Sequence, residues 1–284
     1  MTQDVSKNSI ASLVLRELLE AIRTNQLVLP TLPEVALKIR EIAEDPDADL
    51  DQLAAVIGND PSMAARIIKI ANSPLLRSAC KIEDLRMALM RLGIEYTCNI
   101  AIGLAMQQMF QATSDMVDKR MRANWSRSSE IAGISYVLCK HFTNLRPDQA
   151  ALAGLTHRIG VLPILAYAED HPNLLKDSFT LDKVIELLHA RLGDLILTKW
   201  GFPEQLRNIP SQYQQFSRQP ESADYADLVT VAMLQSYMGS SHPMAQVDYA
   251  TVSAYSRLGL SPDNPEDLGE DLSVEMEAAA ALLK

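Results

Sequence analysis

The chain has 284 residues, 48% of them hydrophobic but only 5% aromatic, with 11 Gly and 14 Pro. This composition excludes a disordered or low-complexity chain and leaves Leu, Ile, Ala and Met to fill the core, which suits helices better than sheets. The formal charge of −10 is uneven, because residues 261–284 carry seven acids against Lys284, a net of −6, leaving −4 for the rest, so a basic nucleic-acid face is not expected.

An amphipathic helix is expected over 8–24, with Ile10, Leu13, Val14, Leu18 and Ala21 near one face. The first residues, Met1-Thr2-Gln3-Asp4, lack the basic-then-apolar pattern of a signal peptide. In Leu29-Pro30-Thr31-Leu32-Pro33-Glu34, Thr31 and Glu34 have capping-box spacing, and the next helix carries Val35, Ile39, Ile42 and Ala43. Asp49 with Gln52 opens another helix, and Asp60 before Pro61 opens a third that ends at Asn72-Ser73-Pro74. A stripe of Leu85, Ala88, Leu89 and Leu92 closes at Gly93, read as a left-handed cap. A further helix covers 94–110, and Met87, Met90, Met106 and Met109 fall at helical spacing, as core residues do. The polar stretch 111–119 reads as a junction between two lobes. Helices are expected beyond it at about 120–142, 147–168, 180–200, 203–208 and 222–239. A Pro/Asp-rich linker then leads to a short alanine-rich helix with its acids toward the N-terminus. Cys80, Cys98 and Cys139 are odd in number and scattered, which fits buried thiols rather than a disulfide framework or zinc site. Apolar runs such as 100–106 fall short of a membrane span. A cytoplasmic location without a membrane partner is the expectation.

Four segments carry a family resemblance: Leu29-Pro30-Thr31-Leu32-Pro33, Ile57-Gly58-Asn59-Asp60-Pro61-Ser62-Met63, Ile67-Ile68-Lys69-Ile70-Ala71-Asn72-Ser73 and Ala88-Leu89-Met90-Arg91-Leu92-Gly93. In order and spacing they resemble the HDOD family, the HD-related output domain of bacterial signalling proteins. Ala153-Gly154-Leu155-Thr156-His157-Arg158-Ile159-Gly160, and the stretch from His189 to Trp200-Gly201-Phe202-Pro203, are similar to the family's second half. The resemblance covers about 25–240, outside which lie the first helix and the acidic tail.

The related HD phosphohydrolases hold a divalent metal through His and Asp side chains, with a neighbouring open position for water. Matched residue by residue, the resemblance places His157 and His189 at two ligand positions. It places Arg158 where the central aspartate belongs and Arg127 at the upstream ligand. The later paired histidines fall near Gln212-Tyr213 and the last aspartate near Met233. Guanidinium groups carry the same sign as the metal and cannot deprotonate. Ion pairs to Glu130, Asp148 or Asp194 are the structural alternative to an anion pocket for the two arginines; hydrogen-bonded core positions are that for the two histidines. Arg120, Arg122 and Arg127 read as a solvated basic face, and Trp200-Gly201-Phe202-Pro203 as a helix ending at glycine rather than an active-site motif.

The expected fold is all-α, a two-lobed helical bundle of HDOD and HD-domain-like type. The lobes are 1–115 and 116–260, followed by an acidic linker and short helix over 261–284. The resemblance implies a signalling or regulatory protein acting through protein contacts, with no catalytic residues, metal or cofactor. Its pocket at Arg127, His157, Arg158 and His189 would suit a phosphate or nucleotide. The alternatives are an HD-type metal-dependent phosphohydrolase with an altered ligand set, and a nucleic-acid-binding helical module.

Overall fold

The protein is described from a computed structural model that places residues 29–76, 81–261 and 270–283, with positions 16, 17, 20, 21 and 24. Most of the helix expected over 8–24, Cys80 and Lys284 lie outside the described residues. No strand occurs among the described residues.

The first half consists of α1 (Glu34–Glu44), α2 (Leu50–Gly58), α3 (Pro61–Ala71), α4 (Leu85–Leu92) and α5 (Ile94–Met106). Local chemistry sets most of these ends. Asp49 accepts from Gln52 N at 2.8 Å while Gln52 accepts from Asp49 N, the expected capping box. Asp60 accepts from Ser62 N and Met63 N ahead of α3, with Pro61 at its first position. The capping box expected at Thr31 does not form. Pro33, extended at ψ 144°, is itself the cap of α1 and has no side chain to offer, so Thr31 falls two residues too early. Gly93 has the expected positive φ of 79°, but its ψ of 162° is extended rather than left-handed helical. It is a sharp hinge that ends α4 and starts α5. Asn72 does more than end α3: its side chain donates to Ile82 O at 2.7 Å and accepts from Ile82 N at 2.8 Å. The methionines do not form one core stripe. Met106 is buried, but Met87 and Met90 are exposed, because α4 turns Ala88 and Leu89 inward.

The second half is organised by α6 (Asp115–Phe142), which begins earlier than expected, so that only 111–114 of the polar junction is non-helical. Packed on it are α7 (Pro147–Thr156), α8 (Val161–Glu169), α13 (Tyr225–Tyr237) and α15 (Glu270–Leu283). Between α8 and α13 run α9 (Pro172–Lys176), α10 (Ser178–Lys199), α11 (Glu204–Arg207) and α12 (Ile209–Gln212), and α14 (Ser253–Arg257) follows α13. The single helix expected over 147–168 is broken at 157–160. The segment 147–169 has the length and apolarity to cross a membrane, which the reading of apolar runs overlooked, but most of it is buried in this fold.

The acidic tail, which lies outside the family resemblance, forms the expected helix, and that helix belongs to the core. Met276, Ala279, Ala280 and Leu283 of α15 are buried. Gly133 of α6 lets the two backbones touch, since a Cβ there would lie 2.3 Å from Ala280 N. Glu275 meets Lys140 at 2.6 Å and His141 at 2.8 Å. The buried hydrophobic residues of both halves and of α15 form one contiguous core.

Candidate functional site

Arg127, His157, Arg158 and His189 all line one cavity of about 600 Å³. Arg127 comes from α6, His157 and Arg158 from the break between α7 and α8, and His189 from α10. At this break the chain lies against α10, where a Cβ on Gly160 would sit 1.9 Å from His189 O, and Pro163 in the first turn of α8 has no N–H to continue α7. Tyr213, directly after α12, and Tyr237 at the end of α13 complete the wall with Met233, His242 and Met244.

Both imidazoles are buried and anchored by backbone. His157 Nδ1 lies 2.6 Å from Gly154 O and His189 Nδ1 lies 2.8 Å from Ile185 O, so in the neutral rings these nitrogens carry the protons. Burial, then the nearby Arg158, His189 and Arg127, hold the His157 pKa down to about 3. Burial and then Arg158 bring His189 down to about 4. The rings are therefore neutral near pH 7, and each Nε2 is an acceptor.

Tyr213 takes one of these acceptors. Its hydroxyl donates to His189 Nε2 at 2.9 Å, and burial pushes the phenol pKa up, so the proton stays on oxygen. The Tyr213 ring stands edge-on to His157 at 5.0 Å and to His189 at 6.1 Å, so it packs against both imidazoles. His157 Nε2 has no hydrogen-bond partner. Tyr213→Phe is expected to cost about 1–3 kcal/mol in chemical denaturation, since it leaves a second buried imidazole acceptor unmet for the loss of one oxygen.

The arginines differ. Arg127 is held by Tyr237, whose ring lies 3.7 Å below its guanidinium, by Ser236 O at 3.3 Å and by Glu130 at 3.5 Å. His242 stacks on the same tyrosine at 3.8 Å. Arg158 donates from Nε to Asn124 at 3.1 Å and makes no ion pair among the described residues. Asp148 and Asp194, the other acids expected near these arginines, are engaged elsewhere: Asp148 pairs with Arg146 at 2.7 Å, and Asp194 accepts from Ser211 N at 3.2 Å. Nor is the basic cluster simply a solvated face. Arg122 pairs with Asp118 at 2.6 Å, while Arg120 pairs with Asp182 at 2.6 Å on the cavity wall. Trp200-Gly201-Phe202-Pro203 ends α10 as expected, with Gly201 at φ 70° and Trp200 Nε1 donating to Pro30 O at 3.0 Å. Sequence reasoning missed Asn124, Glu186, Tyr237 and His242, which fall outside the family's ligand positions.

The donor set does not fit a hydrolytic metal. One imidazole acceptor is used by a phenol, whose ring packs edge-on against both imidazoles, and guanidiniums line the same cavity. No group of three or more His, Cys, Asp or Glu capable of holding a metal occurs among the described residues. What the cavity offers instead is hydrogen-bond donors, from Arg158 and from the unpartnered Asn124 Nδ2 and Arg127 Nη2.

Comparisons with known proteins fit this architecture. A structure from Shewanella amazonensis SB2B, described as a candidate metal-dependent phosphohydrolase, is 29% identical and superposes with a TM-score of 0.86, covering 97% of this chain and 100% of its own. An HDOD domain protein of unknown function from Geobacter sulfurreducens is 18% identical with a TM-score of 0.65, covering 90% of this chain and 94% of its own. A candidate signal transduction protein from Marinobacter aquaeolei VT8 is 20% identical with a TM-score of 0.61, covering 91% of this chain and 60% of its own. Those last two share the fold. An uncharacterized protein of Treponema pallidum (strain Nichols) is 24% identical over 245 residues, 80% of this chain, and the match spans 46% of that curated relative's length. The HDOD domain family matches residues 29–216, two thirds of the chain, and the chain belongs to that family.

Proposed function

We propose that this chain is a non-catalytic signalling module. It acts through protein contacts in the cytoplasm and carries an anion or nucleotide pocket at the position where HD hydrolases hold their metal. One observation carries the reading: Tyr213 takes the His189 acceptor and packs edge-on against both imidazoles, while Arg158 faces the same cavity without a carboxylate. A divalent cation placed there would meet like charge at short range, a penalty on the order of several kcal/mol even in a moderately polar site. An oxyanion would meet donors already in place. The signal transduction name of one structural neighbour agrees with this role.

The second reading, a metal-dependent phosphohydrolase with an altered ligand set, is favoured by the 29% identity to the Shewanella protein across nearly the whole chain. Metal analysis of freshly purified protein, with a panel of phosphomonoesters and cyclic dinucleotides, separates the two. The pocket reading expects no stoichiometric metal, no turnover, and a melting temperature raised by phosphate-bearing ligands. It expects Arg158→Ala to abolish that rise. Bound iron, manganese or zinc together with turnover overturns it.

A further inference from the structure

The cavity holds a cation and an anion that do not meet. Arg158 makes no ion pair among the described residues, and its neighbours are the Asn124 carbonyl and the Tyr213 phenol. Glu186 lies on α10 one turn before His189 and lines the same cavity; among the described residues its carboxylate has neither ion pair nor hydrogen bond. The other rim acid, Asp182, is taken by Arg120 at 2.6 Å. The guanidinium and the carboxylate line one cavity of about 600 Å³ without pairing to each other. That they stay apart leaves room for a ligand with a negative end for one and hydrogen-bond donors for the other.

The unmet polar atoms give the same answer. Asn124 Nδ2 and Arg127 Nη2 are donors in need of acceptors, which an oxyanion supplies. His157 Nε2 is a buried acceptor in need of a donor, and the exposed Glu186 carboxylate at the cavity rim offers two more acceptor oxygens. A bare inorganic anion would answer only the first pair. The cavity is also lined by apolar side chains, Val161, Leu165, Met233, Pro243 and Met244. A flat heterocycle suits such walls, whereas a small aminated phosphate ester would leave them in contact with water.

Among phosphorylated heterocycles the carboxylate decides. A carboxylate accepts at two oxygens side by side and repels any acceptor held opposite it. Guanine presents N1–H and N2–H adjacent on one edge. Adenine and cytosine present one amino group beside a ring-nitrogen acceptor, and uracil presents a single N–H between two carbonyls. We infer that the cavity takes a guanine nucleotide, its phosphate against Arg158 and its N1–H/N2–H edge on Glu186. This rests on the anion-pocket reading above and assigns the ligand class of that same site.

The test is calorimetric titration of the full chain with GMP, AMP and inorganic phosphate. GMP is expected to bind about tenfold more tightly than AMP, since one edge leaves polar groups unpaired and the other does not. Glu186 is exposed, so Glu186→Ala leaves the fold intact. That variant is expected to bring GMP and AMP within about twofold of each other, while AMP binding is kept or improved by removal of a like charge. Arg158→Ala is expected to weaken both nucleotides about tenfold or more, with Asn124→Ala as a second probe of the phosphate end should Arg158→Ala unfold the protein. Equal binding of GMP and AMP by the unmodified protein, both lost in Arg158→Ala, overturns the guanine assignment and leaves the anion pocket standing. Absence of binding by all three ligands overturns both.

Discussion

Gly160→Ala is expected to destabilise the protein by about 3–5 kcal/mol, as overpacking against unyielding backbone does at the severe end of its range. The added methyl would lie 1.9 Å from His189 O and 2.5 Å from Gly193 N. Both are backbone atoms inside α10, so no rotamer change relieves the contact, and the break between α7 and α8 must move off α10 as a unit. The φ of Gly160 is −66°, so none of this cost comes from an unusual backbone angle. Gly58→Ala is the control. Its methyl meets only the Leu85 Cδ2 at 3.9 Å, and at the end of a helix the change is expected to be neutral or stabilising by a few tenths of a kcal/mol. Urea denaturation of the two variants reads the difference. Equal midpoints would show that the 157–160 turn does not depend on close approach to α10. Because that turn carries His157 and Arg158, the same variant is also expected to lose any ligand-induced thermal shift.

The parts of this fold that were legible in the sequence are local ones. Asp49, Asp60 and Gly201 announce their helix ends because caps and positive-φ turns are decided within a few residues. The order of helices follows from hydrophobic spacing, and the four site residues follow from the family pattern, which the cavity then brings together. The features that escaped depend on contacts between distant segments. The apolar run 147–168 reads as one helix by its hydrophobic spacing, although Gly160 and Pro163 mark a break; the chain breaks at 157–160, where Gly160 meets a backbone some 30 residues away, and Pro163 falls in the first turn of α8. The acidic tail looks like an appendage by charge, yet its small residues reach the backbone at Gly133. Arg218 and Arg257 both pair with the buried Asp227, at 3.2 and 2.6 Å, from positions that no helical period connects. The Tyr213–His189 pair was half visible. Tyr213 stood near an expected histidine, but that its hydroxyl would satisfy His189 follows only from the packing of α12 against α10.

Burial of the two histidines has a consequence in acid. The unfolding free energy is expected to fall steadily as pH drops below about 6.5, by about 4 kcal/mol at pH 5 for His157 and His189 together, taking about 1.4 kcal/mol per pKa unit for each. In the folded protein the two rings resist protonation down to about 3 and about 4, first through burial and then through Arg158, with His189 and Arg127 adding to the effect on His157. In the unfolded chain both titrate near 6.5. Between those values the unfolded state binds more protons than the folded state, so the stability is fully present above about 6.5 and is lost as pH falls toward the folded values. The charged and titratable groups lining the cavity with the pair are Arg120 and Arg127 on α6, Arg158 on the turn, Asp182 and Glu186 on α10, Tyr213 after α12, Tyr237 on α13 and His242 beyond it. His242 is itself shifted down, by burial and then Arg127 and Arg158, and it adds in the same direction. Glu275, held low by Lys140 and His141 against its burial, also adds, but in the carboxylate range below the histidine window. Urea midpoints measured at pH 7.5, 6.5, 5.5 and 5.0 read the slope. Arg158→Gln is expected to flatten it by removing the charge common to both histidines, and His189→Gln to remove about one of the two protons taken up on unfolding. A midpoint that stays constant from pH 7.5 to 5.0 would mean that the folded and unfolded rings take up protons alike, near 6.5. The site would then become a cluster of four cations in acid, and neither burial nor Arg158 would be holding the two imidazoles neutral.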